Sequence, residues 1–136
     1  MAMAVTLERV HFYDTDAMQV VHHANYLRWF ETGRVEFLRQ AGITLGELIE
    51  DGIVFPIREV RCKYRQSARF DDVVRIETEP TALTQVKMAF RYRVFREGDG
   101  ALLAEGDTEN VFTDRATGKI VKLPAKYYEK LQAAGK

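Results

Sequence analysis

Two hydrophobic periods divide this chain. Between Ala24 and Ala41 apolar residues return at steps of three and four: Tyr26, Trp29 with Phe30, Gly33, Phe37 with Leu38, then Ala41. That spacing predicts a helix with one apolar stripe, and Arg28, Thr32, Glu36, Arg39 and Gln40 fill the complementary face. Gly42 supplies a C-terminal stop. Gly33 in mid-helix costs ~1 kcal/mol relative to alanine, which makes sense if something packs closely against the helix there. A second short helix is expected from Leu45 to Glu50, ending near Gly52.

After Pro56 the period is two. Val60, Cys62 and Tyr64 alternate with Arg61, Lys63 and Arg65; Val74, Ile76 and Thr78 alternate with Arg75, Glu77 and Glu79. Val86, Met88, Phe90, Tyr92 and Val94 make the cleanest stripe. A last strand is expected from Ala101 to Thr113, with Leu102, Ala104, Gly106, Thr108 and Phe112 on one face. Gly98-Asp99-Gly100 suits a three-residue hairpin loop with Gly100 left-handed. Such a loop sets Arg93 opposite Glu105 and Arg91 opposite Asp107, so loop length, face and charge agree on an antiparallel hairpin. At the start, Val5 to Phe12 is expected as a first strand whose parity shifts between Leu7 and Val10, and Tyr13-Asp14-Thr15-Asp16 as a turn. Pro124 fits the first position of a terminal helix, Ala125 to about Gln132. One long helix against one face of an antiparallel sheet is an α+β arrangement.

Composition narrows the class. With 136 residues, 46% hydrophobic and 29% charged, residues 1–136 read as a single domain with a sizeable core, neither disordered nor fibrous. Lys plus Arg and Asp plus Glu both count 20, so no net charge draws the chain to nucleic acid or an anionic membrane. Cys62 is alone, which excludes an intramolecular disulfide and a cysteine zinc cluster and fits a reducing compartment. No apolar run approaches the ~20 residues needed to span a bilayer. Met1-Ala2-Met3-Ala4 lacks the basic start of a signal peptide, so a cytoplasmic protein is expected.

Four groups of residues could carry chemistry. Asp14 and Asp16 precede His23 at the expected start of the long helix, where free amides and a positive dipole end polarise a carbonyl. A nearby carboxylate could be nucleophile or base, although Asp-x-Asp is also an ordinary turn. His22-His23 beside two aspartates invites a metal, but adjacent histidines diverge and no His-x-x-x-His pair accompanies them, so no metal is expected. Glu31 and Arg34, three apart on the helix, read as a surface pair contributing ~0.2–0.5 kcal/mol. Arg58, Arg61, Lys63, Arg65 and Arg69 form a basic row with few obvious partners, open to the phosphates of a nucleotide-bearing substrate.

The segment from Phe12 to Glu31 resembles the signature of hotdog-fold acyl-CoA thioesterases. Asp14-Thr15-Asp16, Val20-Val21, His23-Ala24-Asn25-Tyr26 and Phe30-Glu31 carry the likeness, which is to the 4-hydroxybenzoyl-CoA thioesterase family and its YbgC-like branch. The resemblance implies a five-stranded antiparallel sheet wrapped around one long central helix. It implies hydrolysis of an acyl-CoA to a free acid and coenzyme A, with no cofactor, in a homodimer or homotetramer. The family's catalytic aspartate falls on Asp16, its oxyanion-binding amide on His23, and its substrate-binding positions on His22, Asn25 and Tyr26. Two positions depart from the pattern. Met18-Gln19 stands where members commonly carry Gly-Gly or Ala-Gly, and Phe12 where many have tyrosine. A hotdog domain can also serve as an enoyl-thioester hydratase or dehydratase, or as a non-catalytic acyl-CoA or acyl-carrier binding module.

Overall fold

The computed structural model describes residues 3–136. Strand β1 (Ala4–Arg9) passes through a single 3₁₀ turn (Phe12–Asp14) and a tight loop into helix α1 (Ala24–Gln40). There follow α2 (Leu45–Glu50), β2 (Ile53–Val54), β3 (Ile57–Tyr64), β4 (Val73–Leu83), β5 (Lys87–Arg96), β6 (Leu102–Val111), β7 (Thr113–Asp114) and α3 (Ala125–Ala134). Five strands make one antiparallel sheet in the order β1-β4-β5-β6-β3, and α1 packs on its inner face against β1, β4 and β5. This is the expected hotdog arrangement. A two-stranded ribbon of β2 and β7 stands apart from it, formed by segments too short to show a period.

The helical stripe and the strand stripes meet as the core. Tyr26, Trp29, Phe30, Phe37 and Leu38 of α1 are buried against Val74, Ile76, Met88, Phe90, Tyr92 and Val94. Phe30 stacks on Tyr92 with centroids 4.4 Å apart, and Phe37 meets Phe90 edge-on at 5.2 Å. Each such side chain contributes ~1.5–3 kcal/mol on burial. Gly33 is where the helix sits down on β4: a Cβ there would collide with Thr78 Oγ1 and crowd Ile76. The close approach expected from the sequence is therefore real.

Beyond Val94 the hairpin register is as expected, with Arg91 opposite Asp107 and Arg93 opposite Glu105, and Gly100 has φ +72°. Next to the loop Phe95 pairs with Leu102 instead, and a register shift between Val94 and Phe95 separates the two. The ion pairs are not as expected. Arg91 turns to Glu79 on β4, Asp107 goes to Arg61, and Glu105 goes to Arg65, because each central strand offers neighbours on both sides. Three further expectations are corrected. The first strand ends at Arg9; Val5 and Leu7 face outward and exposed, while Ala4 and Val10 point into the core. Glu31 and Arg34 make no pair: Glu31 is exposed, whereas Arg34 is buried and donates to the Tyr92 hydroxyl at 3.2 Å. Pro124 is the N-cap of α3, one position before the helix proper.

Candidate active site

The loop between the 3₁₀ turn and α1 is tied at both ends by its own backbone. The Asp16 N–H donates to Val20 O at 2.9 Å and the Gln19 N–H to Asp16 O at 2.9 Å, which closes a tight turn. Gln19 takes φ +64°, a conformation natural to glycine, so the family's glycine at this position has a backbone reason. Asp14 is buried and spends its groups on structure. Its carboxylate accepts the His11 N–H at 2.9 Å, and its carbonyl accepts the His22 N–H and the Asn25 side-chain amide, each at 2.9 Å. Val21 N–H donates to Ala68 O at 2.9 Å, which pins the loop to the connection between β3 and β4.

These ties bring Asp16 and His23 to one cleft of about 330 Å³, whose walls also include Met18, Tyr26, Tyr64 and Ser67. Asp16 Oδ1 accepts the Met18 N–H at 2.8 Å. Among the described residues Asp16 Oδ2 has no hydrogen-bond partner, and the His23 backbone N–H donates to no protein acceptor. His23 is the N-cap of α1, so its amide lies at the positive end of the helix. Its imidazole stacks on His22 at 4.2 Å and meets Tyr64 edge-on at 6.2 Å.

Of the residues expected to bind substrate, Tyr26 lies in the wall while His22 and Asn25 do not. Tyr26 is buried, its hydroxyl accepts the Ala68 N–H at 3.0 Å, and burial pushes its phenol up from the ordinary value. Asn25 is buried behind the turn with its amide engaged by Asp14, and His22 Nδ1 accepts the Ala24 N–H at 3.2 Å. Tyr64, Gln66 and Ser67 come from the end of β3 and the loop after it, distant in sequence from the motif. Only Tyr64's place in the β3 stripe hinted at an inward direction. Partial burial, with a smaller contribution from Cys62, pushes the Tyr64 phenol up to about 12. In the basic row Arg58, Arg61 and Arg65 have carboxylate partners, while Lys63 and Arg69 have none among the described residues.

An unengaged carboxylate oxygen and an unengaged helix-terminal amide on one cleft can together attack and polarise a carbonyl. A long helix cradled by an antiparallel sheet, with these two groups at its start, is the arrangement that the sequence resemblance implied. Residues 10–133 match the thioesterase-like superfamily. The acyl-CoA thioesterase YbgC of Haemophilus influenzae is 36% identical, over 85% of this chain and 85% of its own. Two solved structures share the fold across nearly the whole chain. The DHNA-CoA thioesterase of Staphylococcus aureus has TM-score 0.90 at 26% identity, covering 98% of this chain and 93% of that one. A 4-hydroxybenzoyl-CoA thioesterase variant in complex with 4-hydroxybenzoyl-CoA has TM-score 0.86 at 25% identity, covering 96% and 99%. The chain belongs to the thioesterase-like superfamily, as an acyl-CoA thioesterase of hotdog fold. No helix among the described residues is long and apolar enough to cross a membrane.

Proposed function

We propose that Asp16 and the His23 amide carry out the hydrolysis. The single observation behind this reading is that Asp16 and His23 line one cleft while Asp16 Oδ2 and the His23 N–H have no protein partner among the described residues. The thioester carbonyl oxygen accepts the His23 N–H, which stabilises the negative charge that develops on attack. Asp16 either attacks the carbonyl carbon itself, giving an acyl-enzyme that water then cleaves, or takes a proton from the attacking water. In both routes the C–S bond breaks and the thiolate leaves and is protonated. One water is consumed, and a free acid and coenzyme A are released.

Tyr26 and Tyr64 form an aromatic wall for the acyl group, their centroids 5.2 Å apart. Asn25 and His22 act from behind, holding the turn and the helix start. Lys63 and Arg69 are the members of the basic row free to meet coenzyme A phosphates. The working unit is a homodimer in which β3 edges pair, with a homotetramer as a further assembly. β3 is a sheet edge with Ile57, Val60 and Tyr64 exposed, the kind of edge that another chain covers. Free Cys62 suits the cytoplasm, and residues 1–136 form one domain.

The test is a panel of aromatic and aliphatic acyl-CoAs assayed for free-thiol release, with enoyl-CoA hydration and acyl-CoA binding followed in parallel. Thiol release with turnover is the expected result. Hydration without thiol release, or tight binding with neither, would replace this reading by a hydratase or a binding module. Sedimentation across a dilution series tests the assembly, and a fully active monomer would defeat it.

A further inference from the structure

We infer that Tyr64 is a positioning residue for this reaction: its hydroxyl, donated to the His23 carbonyl, holds the N-cap residue of α1 so that the unengaged His23 N–H keeps its direction beside the cleft that His23 lines. The inference rests on the role proposed above for that amide. Helix ends fray, and a side-chain cap resists that fraying. His23 occupies the N-cap of α1 and makes no side-chain cap bond of its own, while the His22 Nδ1 accepts the Ala24 N–H at 3.2 Å. The tie on the His23 carbonyl comes from another element. The Tyr64 hydroxyl donates to His23 O at 3.1 Å, from β3, 41 residues along the chain. The same carbonyl receives the Tyr26 N–H only at 3.3 Å.

Tyr64 is itself held. Its ring stands edge-on to Tyr26 at 5.2 Å and to the His23 imidazole at 6.2 Å. Tyr26 in turn is anchored by the Ala68 N–H at 3.0 Å and by Trp29, edge-on at 4.9 Å. Swinging the phenol away would break aromatic contacts on two sides. Within one residue the N–H and C=O are linked only through φ and ψ, so fixing the carbonyl of His23 narrows the direction of its N–H. With its phenol pushed up to about 12, Tyr64 remains a donor across the neutral and mildly alkaline range.

Tyr64→Phe keeps the ring and removes only the donor, so the fold should survive. Losing an oxyanion donor outright costs ~10²–10³ in turnover, and loosening one should cost about tenfold. The expected result is therefore a kcat about tenfold lower with KM within twofold, equally at every pH from 6 to 9. In the parent and variant proteins, hydrogen exchange at the His23 amide should be faster in the variant while the melting temperature is unchanged. An unchanged kcat with unchanged His23 exchange would overturn the assignment. A raised KM at constant kcat would overturn it too, showing that the hydroxyl binds substrate instead. Asp16→Asn is measured alongside. If it stays active, the proposed chemistry fails whatever Tyr64 does; if it is inactive and Tyr64→Phe matches the parent, only the Tyr64 assignment fails.

Discussion

On the outer face of the sheet Glu79 receives Arg91 at 2.7 Å, Glu105 receives Arg65 at 2.8 Å and Glu109 receives Lys87 at 3.2 Å. In the turn before α1, the Asp16 carboxylate receives only the backbone N–H of Met18 among the described residues. Both regions are dense in charge, yet the sheet matches its carboxylates with cations and the turn does not. Exposed ion pairs contribute little, with a median of about 0–1 kcal/mol, so the sheet face gains solubility and register more than stability. On the function proposed above, the unmatched Asp16 oxygen and the unmatched His23 amide are left for the substrate. The contrast recurs inside the turn. Asp14 is engaged at both its carboxylate and its carbonyl, and two residues later Asp16 keeps one oxygen free.

The sharpest way to break this contrast is Asp16→Asn. It should lower kcat by ~10²–10⁴ with the melting temperature and acyl-CoA binding retained, as measured by thiol release, thermal melts and titration. Asp14→Asn is the control, because an asparagine oxygen can still accept the His11 N–H; its loss of rate should be much smaller. Equal losses would mean that the shape of the turn matters and the free oxygen does not. Next in size is Gly33→Ala. A methyl group aimed at Thr78 should destabilise the fold by ~1–3 kcal/mol, lowering the melting temperature by several degrees. Activity of the remaining folded enzyme should also fall if the seat of α1 on β4 sets the aim of its N-terminus.

Smaller effects separate the paired from the unpaired cations. Lys63→Ala and Arg69→Ala should raise KM a few-fold at low salt and less at high salt, with kcat held, as expected for phosphate contacts. Arg58, Arg61 and Arg65, which carboxylates already hold, should respond less. Equal kinetics for all five alanine variants would return the row to a solvated face. Smallest of all is Glu79→Gln, which removes a sheet-face ion pair. It should move stability by less than about 1 kcal/mol in a denaturant titration and leave kcat and KM unchanged.

Much of this was legible along the chain. The 3.6-residue stripe from Tyr26 to Leu38 and the two-residue stripe from Met88 to Val94 became the two halves of the core because each period places its apolar residues on one face. Gly98-Asp99-Gly100 announced the hairpin and the left-handed Gly100, but the pairing beyond Val94 is reached through a register shift between Val94 and Phe95 that loop length does not report. The motif from Asp14 to Tyr26 brought Asp16 and His23 together because the loop between them is short and closes on itself. Other features were decided by packing. Val5 and Leu7 are apolar yet face outward, and Arg34 is charged yet buried. Both follow from which surface α1 covers, and a local period cannot report that. Arg91 pairs with Glu79 because a central strand has neighbours on both sides, a choice made only when the sheet assembles. Asn25 belongs to the motif but turns its amide to Asp14, away from the cleft. Tyr64 reaches the site from β3 because strand order brings the end of that edge strand to the first turn of α1. Sequence periodicity gives each segment a face; only the assembled sheet and helix decide which faces are covered and which side chains, far apart in the chain, come within a hydrogen bond.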